Sequence, residues 1–365
     1  MTHRQTPSVW PPDVARPGGK RFGTVHWPHR TPLPMRRPDA GRFGCCYDGI
    51  HSSIARSIIA KVAARGQKGK TGMAQLRIAI QTVLVPGRDL QERFANAARF
   101  GFDGVEISVG VDDDLERQLR DCGDASRTSG LPIAAICTTR AHDPLQDDPG
   151  ERSRRFDVLT QVLALAEDLG AAGVVSVPLR PARAFAGREE QRGWLGALAD
   201  EAVSGYGDWA AQQPDGASAV FLEPLNRYEA SFLNRVGQAA DIAARIRSPR
   251  VRALADLFHM NIEETDLAAP IIDAGELLGH VHIADNNRLQ PGAGAMDIVP
   301  PFAALWQIDY AGWVSMECYS PSGAYIEGEP EIALPETVRY LQSQWLIAAA
   351  EAEGQGVSRN GATST

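Results

Sequence analysis

A chain of 365 residues is long enough for two average domains, or for one large α/β barrel with an extension. Its composition of 44% hydrophobic, 22% charged and 7% aromatic residues excludes collagen-like, coiled-coil and wholly disordered architectures. The net charge of −8 hides a division: residues 1–72 hold 13 Lys or Arg against 3 Asp, a net +10, and the remainder holds 24 against 42, a net −18.

Residues 1–72 also hold 8 of the 24 prolines, in runs such as TPSVWPPD and HRTPLPMRRPD, with little apolar periodicity to bury. They are expected to form a disordered basic extension, in which SSIARSIIAKVAAR (52–65) could make one short basic amphipathic helix. Met73 is an alternative start, because MAQLRIAIQT opens at once with a strand pattern. From there short β-rich runs alternate with stretches of helical period. The runs are LRIAIQT (76–82), GVEIS (104–108), IAAICTT (133–139), GVVSVPL (173–179), AVFLEPL (219–225), VRALADLFH (251–259), HVHIAD (280–285) and VSMEC (314–318), and their starts lie 28 to 46 residues apart. Each gap fits one helix and two loops. Val158, Val162, Leu165, Ala166 and Leu169 share one helical face, as do Val338, Leu341, Trp345 and Ala348. Residues 352–365 (AEGQGVSRNGATST) are expected to be a disordered tail.

Eight strands and eight helices over residues 73–351 predict an α/β fold of the (β/α)8 barrel type. A doubly wound open sheet gives the same alternation but more often carries a glycine-rich turn after its first strand. QTVLVPGRDL (81–90) has no GxGxxG, and neither a P-loop nor a GxSxG elbow occurs in the chain.

In such a barrel the active site lies at the carboxyl ends of the strands. The fifth predicted strand ends near Glu223, the sixth near Asp256 and His259, the seventh holds His280 and His282, and the eighth ends near Glu317. His280 and His282 point to one face by strand parity; His282, nearer the strand end, is assigned to the site. Three carboxylates and an imidazole aimed at one point repel unless a cation neutralises them. Glu223, Asp256, His282 and Glu317 therefore read as a divalent metal site, its oxygen-rich donors favouring Mn2+, Mg2+ or Co2+ over structural zinc. His259, three residues past Asp256, reaches that face only if the strand breaks into the following loop; otherwise it is a packed histidine. Glu106, at the end of the second strand, is set aside as a residue that either reaches substrate or pairs with a neighbour.

EPLNRYE (223–229), DLFHMNIEE (256–264), GHVHIADNNRLQPGAG (279–294) and SMEC (315–318) resemble the strand ends of the xylose isomerase-like TIM barrels, and most of all those of the ketose 3-epimerases of the D-tagatose and D-psicose type. The resemblance spans about residues 76–347. It implies that Glu223, Asp256, His282 and Glu317 hold the metal, Mn2+ foremost, and that Glu223 and Glu317 form an acid/base pair on opposite faces of a ketose. It further implies that Glu229, His259 and Arg288 hold substrate oxygens. The reaction implied is C3 epimerisation through a cis-enediolate. The stretch ADNN (284–287) departs from the glycine and glutamate of the best-known epimerases. Hydroxypyruvate isomerases, inosose dehydratases and C-glycoside deglycosidases share the barrel and begin with the same proton abstraction.

Two rivals come from other classes. Abasic-site endonucleases of this superfamily need more histidines than His142, His259, His280 and His282, and a net charge of −18 opposes a phosphate backbone. A catalytically silent sugar-binding barrel would not need both glutamates. The partner expected is thus a small sugar rather than nucleic acid or membrane, and the resemblance implies a homo-oligomer, dimer or tetramer. No run approaches 18 apolar residues, residues 1–30 lack an apolar signal core, and the five cysteines form no CxxC pair. These features predict a cytoplasmic protein.

Overall fold

A computed structural model describes residues 75–360, apart from 110–113, 139–142, 179, 181–183 and 321–322. The expected extension over 1–72, its candidate helix over 52–65 and the alternative start at Met73 lie outside the described residues. Eight parallel strands close into a barrel in sequence order. They are β1 (Arg77–Gln81), β2 (Gly104–Val109), β3 (Ile133–Thr138), β4 (Gly173–Ser176), β5 (Ala219–Leu222), β6 (Val251–Asp256), β7 (Leu278–Ile283) and β8 (Trp313–Met316). Around them run α1 (Leu90–Phe100), α2 (Leu115–Ser129), α3 (Pro149–Leu169), α4 (Arg188–Ala210), α5 (Val236–Ile246), α6 (Leu257–Glu263), α7 (Ala269–Ala274), α8 (Val299–Gln307) and α9 (Pro330–Asn360). A two-residue hairpin, β9 (Tyr319–Ser320) with β10 (Gly323–Ala324), follows β8. Among the described residues no helix is long and apolar enough to cross a membrane.

The near-continuous apolar strand runs follow from burial on both faces, against the helices outside and the lumen inside. The strands stop early where proline intervenes. Pro178 and Pro224 have no N–H to give the ladder, so β4 and β5 end at Ser176 and Leu222, and Glu223 continues the pairing only through its own N–H to Ser176 O (3.0 Å). The expected strand over 251–259 ends at Asp256, because that side chain caps α6 by accepting from Phe258 N (2.8 Å).

Helix boundaries follow their caps. Asp89, Asp114 and Asp148 accept from backbone N–H groups at the starts of α1, α2 and α3. The buried face of α3 centres on Leu159, Val162, Leu163 and Ala166; Val158, Leu165 and Leu169, placed on that face from sequence, flank it half-buried. On α9 the expected face of Val338, Leu341, Trp345 and Ala348 is buried. That helix continues past residue 351, where a disordered tail was expected, through AAAEAE (348–353), a run of strong helix formers, and is described as far as Asn360; residues 361–365 lie outside the described residues.

Below the strand ends the lumen is filled. Glycine permits this at two points: a Cβ on Gly104 would lie 2.7 Å from the Trp313 ring, and one on Gly173 would meet Ala219 O and the Phe221 ring. Phe221 stacks on His280, with centroids 5.2 Å apart and ring planes within 7°. Polar groups therefore sit in the upper layers, on an apolar floor.

Candidate active site

The four residues singled out as metal ligands converge. Single donor atoms of Glu223, Asp256, His282 and Glu317 lie within 4.8 Å of one another, and all four residues are buried. His282 Nδ1 stands 3.2 Å from Glu223 Oε1 and 3.3 Å from Glu317 Oε2. The opposite ring nitrogen, Nε2, donates to Glu106 Oε2 at 3.1 Å, which turns Nδ1 toward the carboxylates. Three carboxylates, one oriented imidazole and no thiolate make a donor set that fits a divalent cation.

Arg288 lies over this cluster. Its Nη1 donates to Asp256 Oδ2 (2.8 Å) and its Nη2 to Glu317 Oε2 (2.5 Å), while the guanidinium rests 4.4 Å above the Phe258 ring. Its backbone is left-handed (φ 64°), a conformation costly for a residue with a Cβ. The turn that imposes it is built on Asp285, whose buried carboxylate accepts from the backbone N–H groups of Asn286, Gly292 and Met296 at 2.8 to 2.9 Å.

His259 reaches the site because the chain becomes helical immediately after Asp256 rather than continuing as a strand or loop. Its Nδ1 accepts from Asn226 N (3.2 Å), and a backbone amide can only donate, so the ring proton resides on Nε2, 3.5 Å from Asp256 Oδ2. Glu229 Oε1 accepts from Asn226 Nδ2 at 2.9 Å and lies 3.9 Å from His259 Nδ1. Asn226 thereby ties Glu229 to His259. Glu223, Glu229, His259, Arg288 and Glu317 all line one cavity of about 600 Å3, with Phe258 and Tyr319 among its apolar walls.

Three residues outside the sequence assignment, Glu106, His280 and Gln81, belong to the same network. Glu106 is fully buried and accepts three hydrogen bonds: from Gln81 Nε2 (2.9 Å), His280 Nε2 (2.8 Å) and His282 Nε2 (3.1 Å). His280 and His282 do share a face, and Glu106 uses both. Gln81, the last residue of β1, donates from the same Nε2 to Glu317 Oε1 (2.8 Å). Glu106 carried a sequence signal as the polar member of GVEIS; Gln81 carried none beyond its place at a strand end.

Electrostatics divide the cluster. Burial, with Glu317 and Asp256 nearby, pushes the Glu223 carboxyl up to about 7 against the pull of His282. Burial likewise opposes the charge of Asp256, but the Arg288 guanidinium holds that carboxyl well below its usual range. Glu317 is lowered by His282 and Arg288 despite burial. For His282, burial is overcome by Glu106, Glu317 and Glu223, so its imidazolium is favoured; for His259 burial prevails and the neutral ring is favoured. One imidazolium and one guanidinium thus offset part, not all, of the negative charge of the three clustered carboxylates.

A closed eight-stranded barrel with an oxygen-rich cluster that could hold a cation at its carboxyl rim defines a class, and the sequence comparison gives the same one. Residues 94–344 match the xylose isomerase-like TIM barrel model, and the chain belongs to that family. It is 29% identical over 256 residues to the 3-dehydro-D-guloside 4-epimerase of Escherichia coli K12, an alignment covering 66% of this chain and 92% of that protein. It is 31% identical over 230 residues to the ketose 3-epimerase of Arthrobacter globiformis, covering 61% and 75%. Among solved structures, the apo 3-keto-D-glucoside 4-epimerase of E. coli superposes with a TM-score of 0.62 at 27% identity, covering 74% of this chain and all of that one. An L-ribulose 3-epimerase gives 0.60 at 25% identity, covering 76% and 97%. The chain is an enzyme of the isomerase class, an epimerase by kinship.

Proposed function

We propose that this barrel inverts a carbon adjacent to the carbonyl of a sugar, C3 of a ketose in the first instance. The observation that carries this reading is the pair Glu223 and Glu317: both buried, both lining one cavity, and both donors of a cluster suited to a cation. Glu223, Asp256, His282 and Glu317 would hold that cation, Mn2+ before Mg2+ or Co2+, and when bound it supplies Lewis acidity that polarises the carbonyl. One glutamate accepts the proton of the carbon beside the carbonyl. The C–H electron pair moves toward the carbonyl oxygen, giving a cis-enediolate. The other glutamate delivers a proton to the opposite face as the carbonyl re-forms, so nothing is oxidised or reduced. Arg288, His259 and Glu229 hold substrate oxygens, and Phe258 and Tyr319 give the cavity an apolar side.

A second reading is a 3-keto glycoside inverted at C4, which is also adjacent to a ketone. The alignment with the E. coli 4-epimerase over 92% of that protein favours it. Proton NMR of the Mn2+-loaded protein in D2O, with D-fructose, D-psicose, D-tagatose, L-ribulose and a 3-keto-D-glucoside, separates the two by which carbon loses its proton signal. Silence across the panel would overturn both.

Chelation with EDTA is expected to abolish turnover and Mn2+ to restore it. By linkage, Mn2+ at a hundred times its Kd should add about 2.7 kcal/mol of stability, visible as a rise in Tm by calorimetry. Arg288→Ala is expected to raise KM roughly ten- to hundredfold with a smaller change in kcat, the size of a lost charged hydrogen bond. The proposal extends to a cytoplasmic homo-oligomer, dimer or tetramer; the free, buried thiols of Cys122, Cys137 and Cys318 suit a reducing compartment.

A further inference from the structure

Gln81 is fully buried, and its place is set by strand register: β1 pairs with β2 so that Gln81 faces Glu106, and with β8 so that Ile80 faces Met316. Its amide thus lies between a residue of β2 and the glutamate that follows β8. Nε2 donates to Glu317 Oε1 at 2.8 Å and to Glu106 Oε1 at 2.9 Å, and Oε1 faces the Tyr319 hydroxyl at 3.4 Å. Both amide hydrogens have carboxylate acceptors.

The two oxygens of Glu317 therefore have separate duties. Oε1 is held by the Gln81 amide, while Oε2 faces His282 Nδ1 and Arg288 Nη2. Among the described residues Glu223 has no amide brace of this kind; its Oε1 faces His282 Nδ1. An amide donor from a neighbouring strand fixes both the plane and the rotamer of a carboxylate. A base displaced by an ångström transfers protons far more slowly.

We propose that Gln81 is a positioning residue for Glu317, fixing its carboxylate for cation binding and for proton transfer on one face of the substrate only. The second part rests on the two-base reading above. In that reading each glutamate serves one epimer. A variant impaired at Glu317 still exchanges the substrate hydrogen of the epimer served by Glu223, and fails to exchange that of the other. Damage to the barrel as a whole would depress both.

The test is Gln81→Met, which keeps side-chain length and removes both donors. Its Mn2+ affinity by isothermal titration is expected to fall roughly 10- to 100-fold, the usual cost of losing an outer-shell partner. At saturating Mn2+ and in D2O, exchange of one epimer should fall roughly tenfold or more while that of the other is kept, on the same side as in Glu317→Gln. Unchanged Mn2+ affinity, or equal loss from both epimers, would overturn the proposal. If the methionine variant does not fold, Gln81→Asn, one methylene short of both carboxylates, carries the same expectations. A wild-type protein silent on the whole sugar panel would refute the proposed reaction, and the Mn2+ titration would still decide the role of Gln81.

Discussion

Glu317→Gln and Glu223→Gln are each expected to slow interconversion of the epimers by roughly 10²- to 10⁴-fold, the range over which a positioned general acid or base contributes. Glutamine keeps the length of the side chain and one oxygen donor but cannot accept a proton at ordinary pH. Inversion needs proton access from both faces, so neither glutamate can substitute for the other in the full reaction. Hydrogen exchange makes the argument sharper than rate loss alone. Each variant should retain isotope exchange in the epimer served by the surviving glutamate, and the two variants should retain opposite epimers. Rates and exchange are read by NMR of the Mn2+-saturated proteins, with metal content measured alongside, because both residues belong to the proposed cation site. Near-full activity in either variant would rule out the two-base mechanism.

The elements easiest to read from sequence were those whose physics is local. Parallel strands buried on both faces leave apolar runs, and a polar residue at the end of such a run stands out, as Glu223, Asp256, His282 and Glu317 do. The exact strand ends were less legible: proline truncation at Pro178 and Pro224 and the cap made by Asp256 are side-chain events that shift a boundary by several residues. His259 shows the consequence, since its position relative to Asp256 makes sense only once the chain turns helical. Gln81, and the part that Glu106 plays, were hidden for a different reason. Their partners lie 25 to 236 residues away, and only barrel closure and register bring them together. Nothing local distinguishes a glutamine that braces a base from one that ends a strand. The left-handed backbone of Arg288 was equally invisible, because it is imposed by hydrogen bonds to Asp285 from residues up to 11 positions downstream.

Glu106→Ala should have the largest effect on stability. Its carboxylate is fully buried, has three donors and supplies the negative charge that favours the His282 imidazolium. Removing one partner of such a buried set leaves charged and polar groups uncompensated, at a cost of roughly 3–5 kcal/mol. For a barrel of this size that corresponds to a fall in Tm of roughly 5–8 °C, read by calorimetry in EDTA so that metal binding does not contribute. The sign with pH follows from the direction of the shift. Burial works against the Glu106 charge, but His282 and His280 hold its carboxyl well below the usual range, so its contribution is complete above about pH 4.3 and is lost as pH falls further. Glu106→Gln, which retains shape, should therefore differ most from wild type near neutral pH, and the gap should narrow in acid. The same carboxylate directs His282 Nδ1 toward the carboxylate cluster, so both variants should also bind Mn2+ roughly 10- to 100-fold more weakly. A Glu106→Gln protein matching wild type in both Tm and Mn2+ affinity would show that the hydrogen bonds of Glu106 do not hold the site in place.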